Sequence, residues 1–344
     1  MPTVFLSDDN AKEILAQKEI YIFGAGERAE ELTGYMRNNG LSVRGYCVDD
    51  AYFREGISVM RLSDMPAGDN VAILYGMASV DRFKAWCKES AGAVYVWWDC
   101  LWQYDASLME AHKDDFARAE GVYADDLSRK IMEGYLLGKK QKGNEEEFSY
   151  CTEGTYFNEL TASVLQGGAV DCGAYTGDTV KKYLSFVGSS EEKVWAFEPD
   201  PGNYQRLLDS CRDYPHVECL NCGVWNKNEI LSFTANSSGD SAISTVGDIK
   251  VNCKKIDDVV GAEKVGFIKM DVEGAERQAL AGAREVIRRN RPVLAISAYH
   301  LWDDLFVLPL LIKEIAGDDY KVYLRHHGIA AAELVIYAIP NITK

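Results

Sequence analysis

The sequence predicts an α/β protein of two successive parallel-sheet units, and three observations predict it. Short apolar runs alternate with helix-length amphipathic runs from residue 19 to about 100, and again from about residue 156 onward. Two of the apolar runs break into glycine turns that enter helical patterns, at Gly24-x-Gly26-x-x-Ala29 and at Gly173-x-x-x-Gly177. A chain of 344 residues also exceeds what one core usually holds, since cores tend to split at about 100 to 200 residues.

In the first unit, EIYIFG reads as a strand, and a helix through Leu32, Tyr35 and Met36 follows and stops at Gly40. SVRGYCV, VAILYG and AVYVWW read as further strands. Strand alternating with helix predicts a small Rossmann-like unit over residues 1–103. Residues 104–150 lack strand signals, are charged and helical in tendency, and end in the polar stretch KKQKGNEEE, as a helical connector would.

The second unit, residues 151–344, opens with strand, glycine turn and helix in GGAVDCGAYTGDTVKKYL. KVWAFEPD is its second strand, and Tyr204, Leu207, Leu208 and Cys211 then line one helix face. VECLNCGVW reads as a third strand. Residues 230–254 alternate around a Ser/Gly/Asn/Asp-rich centre, as an antiparallel hairpin or flap does. VGFIKMD and RPVLAIS are the fourth and fifth parallel strands. YKVYLR and AAELVIYAI are joined too closely to be anything but antiparallel. A doubly wound sheet ending in a reversed strand is the topology of class I methyltransferases.

Composition narrows the function. With 37 basic and 53 acidic residues the formal net charge is -16, which argues against nucleic acid and anionic membranes as partners. The densest basic run, Arg288, Arg289 and Arg291, sits where a helix end favours cations. The chain shows no apolar stretch of the roughly 18 residues a membrane span needs and no leader pattern, so a cytoplasmic enzyme is expected. Nine scattered cysteines do not suggest a disulfide framework, and the Cys219-x-x-Cys222 spacing reads as a strand-end coincidence.

Each glycine loop has an acid at ribose-binding distance: Asp49 lies 20 residues beyond Ala29, and Glu198 lies 21 beyond Gly177. Chemistry separates the loops. Asp171 and Asp178 flank the second one and would repel a pyrophosphate, but they suit S-adenosylmethionine, which carries ammonium and sulfonium charges and no phosphate. Glu198 is expected on the ribose hydroxyls, Asp171 and Gly173 at the methionine end, with Ala174, Tyr175, Gly177 and Asp178 completing the loop. Asn221 and Gly223 are expected near the adenine.

VDCGAYTGDT, FEPDP, KKIDDVV, GFIKMDVEGAE, SAYHLWDDL, YLRHH and ELVIYAIP together resemble the FkbM family of S-adenosylmethionine-dependent methyltransferases, over roughly residues 150–340. The resemblance implies O-methylation of a hydroxyl on a sugar, glycan, glycolipid or secondary metabolite. Tyr175 stands where the usual methyltransferase loop has glycine.

Asp271 and Glu273 close the fourth strand and His300 extends the fifth, so all three are candidate catalytic groups on one sheet edge. His300 is the preferred general base, because imidazole titrates near working pH. Asp271 or Glu273 could instead join His300 around a divalent cation, but two carboxylates two residues apart are commonplace and the metal-free reading is preferred. Arg325 and His326, following the sixth strand, are candidate acceptor-binding residues, with His327 beside them. Two rivals remain: a NAD(P)- or nucleotide-sugar-dependent oxidoreductase or epimerase using the first glycine loop, and a non-catalytic nucleotide-sugar-binding module.

Overall fold

A computed structural model describes residues 3–6, 10–54, 59–66, 68–77, 82, 85–86, 94–97, 110–141, 154–162, 164–188, 191–234, 242–243, 249–328 and 333–341. They form two compact units. One comprises Met1–Glu110, Glu133–Glu153 and His327–Glu333, and the other Ala111–Met132, Gly154–His326 and Leu334–Lys344. The stretch expected as a connector thus contributes Ala111–Met132 to the second unit; residues 104–109 and 142–150 lie outside the described ones.

The first unit is a six-stranded, fully parallel sheet: β1 (Thr3–Leu6), β2 (Glu19–Phe23), β3 (Val43–Val48), β4 (Met60–Arg61), β5 (Val71–Tyr75) and β6 (Val94–Trp97), in the order β1-β6-β5-β2-β3-β4. Helix α1 (Ala11–Leu15) precedes β2, and α2 (Glu27–Asn38) buries Ala29, Leu32 and Met36 in the core with Ile20, Ile22 and Leu74. The glycine turn serves packing. A Cβ on Gly24, at φ +117°, would stand 2.8 Å from Gly76 O, so the ends of β2 and β5 can approach only as glycines.

The second unit centres on seven strands: β7 (Ala169–Cys172), β8 (Val194–Phe197), β9 (Val217–Leu220), β14 (Phe267–Met270), β15 (Val293–Ser297), β16 (Tyr320–His326) and β17 (Leu334–Pro340). Their order is β16-β17-β15-β14-β7-β8-β9, with β17 antiparallel to both neighbours. This is the class I methyltransferase order, and the reversed last strand stands where the sequence put it. Strands β7, β8, β14 and β15 are buried along their whole length, as central parallel strands covered by helices must be. Helix α3 (Lys113–Glu120), the start of α4 (Asp126–Gln141), which belongs to the first unit from Glu133 on, and α5 (Glu159–Ala162) precede the sheet. On one face α6 (Asp178–Val187) and α7 (Pro201–Cys211) pack Val180, Tyr183, Leu184 and Leu207 against Val194, Ala196, Phe267 and Tyr337.

The run VECLNCGVW is not one strand. It breaks after Leu220, and β10 (Gly223–Val224) joins a second small sheet with β11 (Glu229–Thr234), β12 (Ala242–Ile243) and β13 (Ile249–Lys254). Strands β11 and β13 pair antiparallel, as the alternation over residues 230–254 predicts. Helices α8 (Ile256–Val260), α9 (Glu276–Gly282), α10 (Arg284–Asn290) and α11 (Asp304–Ala316) complete the unit. Among the described residues no helix is long and apolar enough to cross a membrane.

Candidate active site

The second glycine loop starts where β7 ends. Gly173 has φ +78°, and a Cβ there would lie 1.9 Å from Asp271 O, so the loop passes against the end of β14 with no room for a side chain. The amides of Gly173 and Ala174 both donate to Phe197 O, at 3.0 and 2.9 Å, which folds the loop over the end of β8. Tyr175 adopts φ +50° and leaves its ring exposed. Gly177, at φ +83°, caps α6 with its Cα against Leu207, and Asp178 opens that helix from an exposed position beside Lys182.

Glu198 follows β8 and is buried. Its two oxygens accept from the Tyr175 amide at 2.8 Å and the Asp200 amide at 2.9 Å. Burial pushes its carboxyl upward against the pull of those two amides. A carboxylate has about four lone-pair sites, so each oxygen keeps one for a further donor. Asn221 donates to Glu198 O and Pro199 O at 2.9 and 3.2 Å, and so braces the turn that carries Glu198. Gly223 belongs to β10, where a Cβ would crowd Cys253 Sγ at 3.2 Å.

Asp171 is also buried, and it has a resident cation: Lys269 Nζ lies 3.2 Å from Oδ1 and donates to Gly173 O at 2.6 Å. Burial raises the Asp171 carboxyl in spite of Lys269. The lysine itself is raised, because Asp171 and Asp271 outweigh its own burial.

A second group assembles past β14 and β15. Asp271 accepts from Tyr299 OH at 3.0 Å and Tyr156 OH at 3.2 Å. Burial favours its neutral form, but Lys269, His300 and these hydrogen bonds hold the carboxyl below its ordinary range. His300 Nε2 lies 3.4 Å from Asp271 Oδ1 and 3.6 Å from Glu273 Oε2; Nδ1 lies 2.8 Å from Glu276 Oε1. Burial opposes the charged ring, yet Glu276, Asp271 and Glu273 together push His300 up to about 9. At neutral pH the ring therefore holds a second proton, which must leave before His300 can act as a base. Glu273, at φ +52°, turns its side chain outward and is mostly exposed.

Not every predicted residue joins these groups. Arg325 and His326 lie inside β16 and are buried. The Arg325 guanidinium is committed to Asp125 at 2.7 Å, Ser128 Oγ at 3.0 Å and Leu324 O at 2.9 Å, because the alternation of the strand turns it away from the sheet edge and toward the start of α4. His112, at the start of α3, stacks on Phe306 and contacts Trp302. Cys219 shares its thiol contact with Cys211 rather than Cys222. In the first unit Arg82 grips both oxygens of Asp49, so the acid expected at a ribose has an internal partner.

Residues 171–328 match the methyltransferase FkbM domain. The chain carries an FkbM methyltransferase domain. It is similar to 2-O-methyltransferase NoeI of Sinorhizobium fredii, 22% identical over 195 residues that cover 48% of this chain and 79% of that protein. It is also similar to hexuronic acid methyltransferase AglP of Haloferax volcanii, 28% identical over 109 residues, 30% of this chain and 46% of that one. The chain thus spans about half the length of AglP. In fold it resembles a methyltransferase FkbM from Methylobacillus flagellatus (TM-score 0.64, 21% identity), with 97% of this chain and 94% of that one covered.

Sequence reading missed Lys269, Glu276 and Tyr299 within the FkbM domain, and Tyr156 ahead of it. Two of them had a signal. A lysine in the middle of the otherwise apolar FIKM needs a buried partner, and Glu276 lies three residues after Glu273, one turn further along a helix start.

Proposed function

We propose that this methyltransferase transfers the methyl group of S-adenosylmethionine to a hydroxyl of a sugar or sugar-bearing acceptor. One observation carries the reading. The glycine loop with Glu198 and the Asp271–His300 group stand at the carboxyl ends of adjacent strands, β8, β7, β14 and β15, where open α/β sheets bind ligands.

In this reading the two spare lone pairs of Glu198 take the ribose hydroxyls, while Asn221 and Gly223 shape the approach to the base. Gly173, Ala174, Tyr175, Gly177 and Asp178 cradle the methionine end, and Asp171 supports the cradle through Lys269. Asp271, Glu273 and His300 form the acceptor side. The acceptor oxygen attacks the methyl carbon in line as the bond to sulfur breaks. The electron pair stays on sulfur and the hydroxyl proton is lost to water beside the Asp271–His300 group, so the products are a methyl ether, S-adenosylhomocysteine and a proton. Holding the two reactants in line supplies much of the acceleration. The names of NoeI and AglP, one a 2-O-methyltransferase and one acting on a hexuronic acid, support a sugar hydroxyl as acceptor.

Calorimetric titration of the full chain with S-adenosylmethionine and with NAD tests this, followed by transfer of labelled methyl groups to neutral-sugar and uronic-acid glycans. Adenosylmethionine binding that is lost in Glu198→Ala, together with label on a glycan, is expected. Binding of NAD in its place would overturn the reading.

A further inference from the structure

Asp271, Glu276 and His300 come together from three places: the residue after β14, the first residue of α9, and the extension of β15. One ligand atom from each lies within 4.8 Å of the others. Donors at about 2.1 Å from a common small cation stand roughly 3.0 Å apart when cis and 4.2 Å when trans. A contraction of a few tenths of an ångström would therefore bring all three to one centre.

Glu276 is buried, His300 nearly so, and neither is fully hydrogen-bonded. Glu276 has no exposed surface, and the His300 side chain is 8% exposed. Neither ring nitrogen of His300, nor Glu276 Oε2, makes an aligned hydrogen bond, although Nδ1 and Oε1 are only 2.8 Å apart. Buried polar atoms are ordinarily satisfied, so Glu276 Oε2 and one ring nitrogen of His300, idle beside the Asp271 carboxylate, call for a ligand that takes one atom from each residue. The other oxygen of Glu276 is fixed by the Val272 amide at 2.9 Å, and Asp271 is oriented by the hydroxyls of Tyr156 and Tyr299. Such outer contacts are what aim metal ligands.

We infer that Asp271, Glu276 and His300 bind a divalent cation of the Mg2+ or Mn2+ class. Two carboxylate oxygens and one imidazole nitrogen, with no thiolate, make a hard donor set. Three protein donors leave half of an octahedron for water and an acceptor hydroxyl. Resting on the methyl transfer proposed above, the role of the site is to bind that hydroxyl and lower its pKa. Its proton passes to water, and the oxygen is left to attack the methyl carbon.

The test uses the full chain, stripped with a chelator and titrated with Mn2+ alone, free ion being read by electron paramagnetic resonance. One Mn2+ per chain, displaced by Mg2+, is expected, with affinity weakened about 10-fold or more in His300→Ala and in Asp271→Asn. Asp271 is partly exposed, so its variant guards against a folding defect, and circular dichroism confirms the fold of both. Absence of saturable Mn2+ binding, or undiminished binding in both folded variants, overturns the site. Adenosylmethionine titrated in parallel separates the two readings. Mn2+ binding without adenosylmethionine binding defeats the methyl-transfer reading alone, and the reverse defeats the cation site alone.

Discussion

Lys269 and Asp171 face each other at 3.2 Å beneath the glycine loop, and the same ammonium donates to Gly173 O at 2.6 Å. One buried cation thus ties the end of β14 to the end of β7. Replacing it leaves a buried carboxylate without its counter-charge, a loss of about 3 to 5 kcal/mol when one partner of a buried pair is removed. Lys269→Met should therefore lower the melting temperature sharply and weaken adenosylmethionine binding. The double variant Lys269→Met, Asp171→Asn should regain much of the stability, because neutralising Asp171 removes the orphaned charge. Thermal melts of the three proteins check this, and a double variant no more stable than Lys269→Met would refute it.

Gly173 and Gly188 share the left-handed backbone but not the space around it. A Cβ on Gly173 would meet Asp271 O at 1.9 Å, whereas one on Gly188, at φ +64°, meets nothing within 4 Å. Gly188→Ala should cost about 1 kcal/mol from backbone strain alone and leave cofactor affinity unchanged. Gly173→Ala must push β14 and the loop apart, so it should abolish adenosylmethionine binding even where the protein still folds. Melting curves and calorimetry on the two variants separate strain from collision.

Glu198 illustrates why charge and geometry both matter. Its oxygens are each anchored by a backbone amide, from Tyr175 and from Asp200. Glu198→Gln must turn an NH2 group toward one of those amides, so the loop loses an anchor and the cofactor loses an acceptor. Hydrogen bonds to charged groups are worth about 1.5 to 3 kcal/mol, so adenosylmethionine affinity should fall roughly 10- to 150-fold in Glu198→Gln, and at least as far in Glu198→Ala. Isothermal calorimetry at neutral pH reads this directly.

The strand ends were legible in the sequence because local pattern marks them. An apolar run that stops at Asp171, Glu198, Asp271 or near His300 announces where a sheet edge lies, and that edge is where these residues stand. What pattern could not supply are partners set by long-range packing. Lys269 meets Gly173 across 96 residues, Tyr156 meets Asp271 across 115, and Arg325 meets Asp125 across 200. VECLNCGVW misled for a related reason: it reads as one strand-like run, but its two halves pair in two different sheets. Arg325 and His326 sit at the end of a strand that runs parallel to β15, yet strand alternation sends the arginine away from the edge that motivated its assignment.

That arginine gives a pH-dependent prediction. Asp125 accepts from the Ser128 amide at 2.9 Å at the start of α4, and its other oxygen accepts from Arg325 at 2.7 Å. Burial would raise the Asp125 carboxyl, but the hydrogen bonds from Arg325 and Ser128 and the guanidinium charge hold it below its ordinary range. A lowered carboxyl contributes stability that is complete above its unfolded value and is lost as pH falls through the folded one. Arg325→Met should therefore destabilise the protein most near neutral pH. The difference from the natural chain should shrink as pH drops below the ordinary carboxyl range, where Asp125 is protonated in both. Urea unfolding from about pH 7 down to about pH 3 measures that difference. If Arg325 instead held the acceptor, the substitution would raise the KM for the acceptor and leave the stability difference flat with pH.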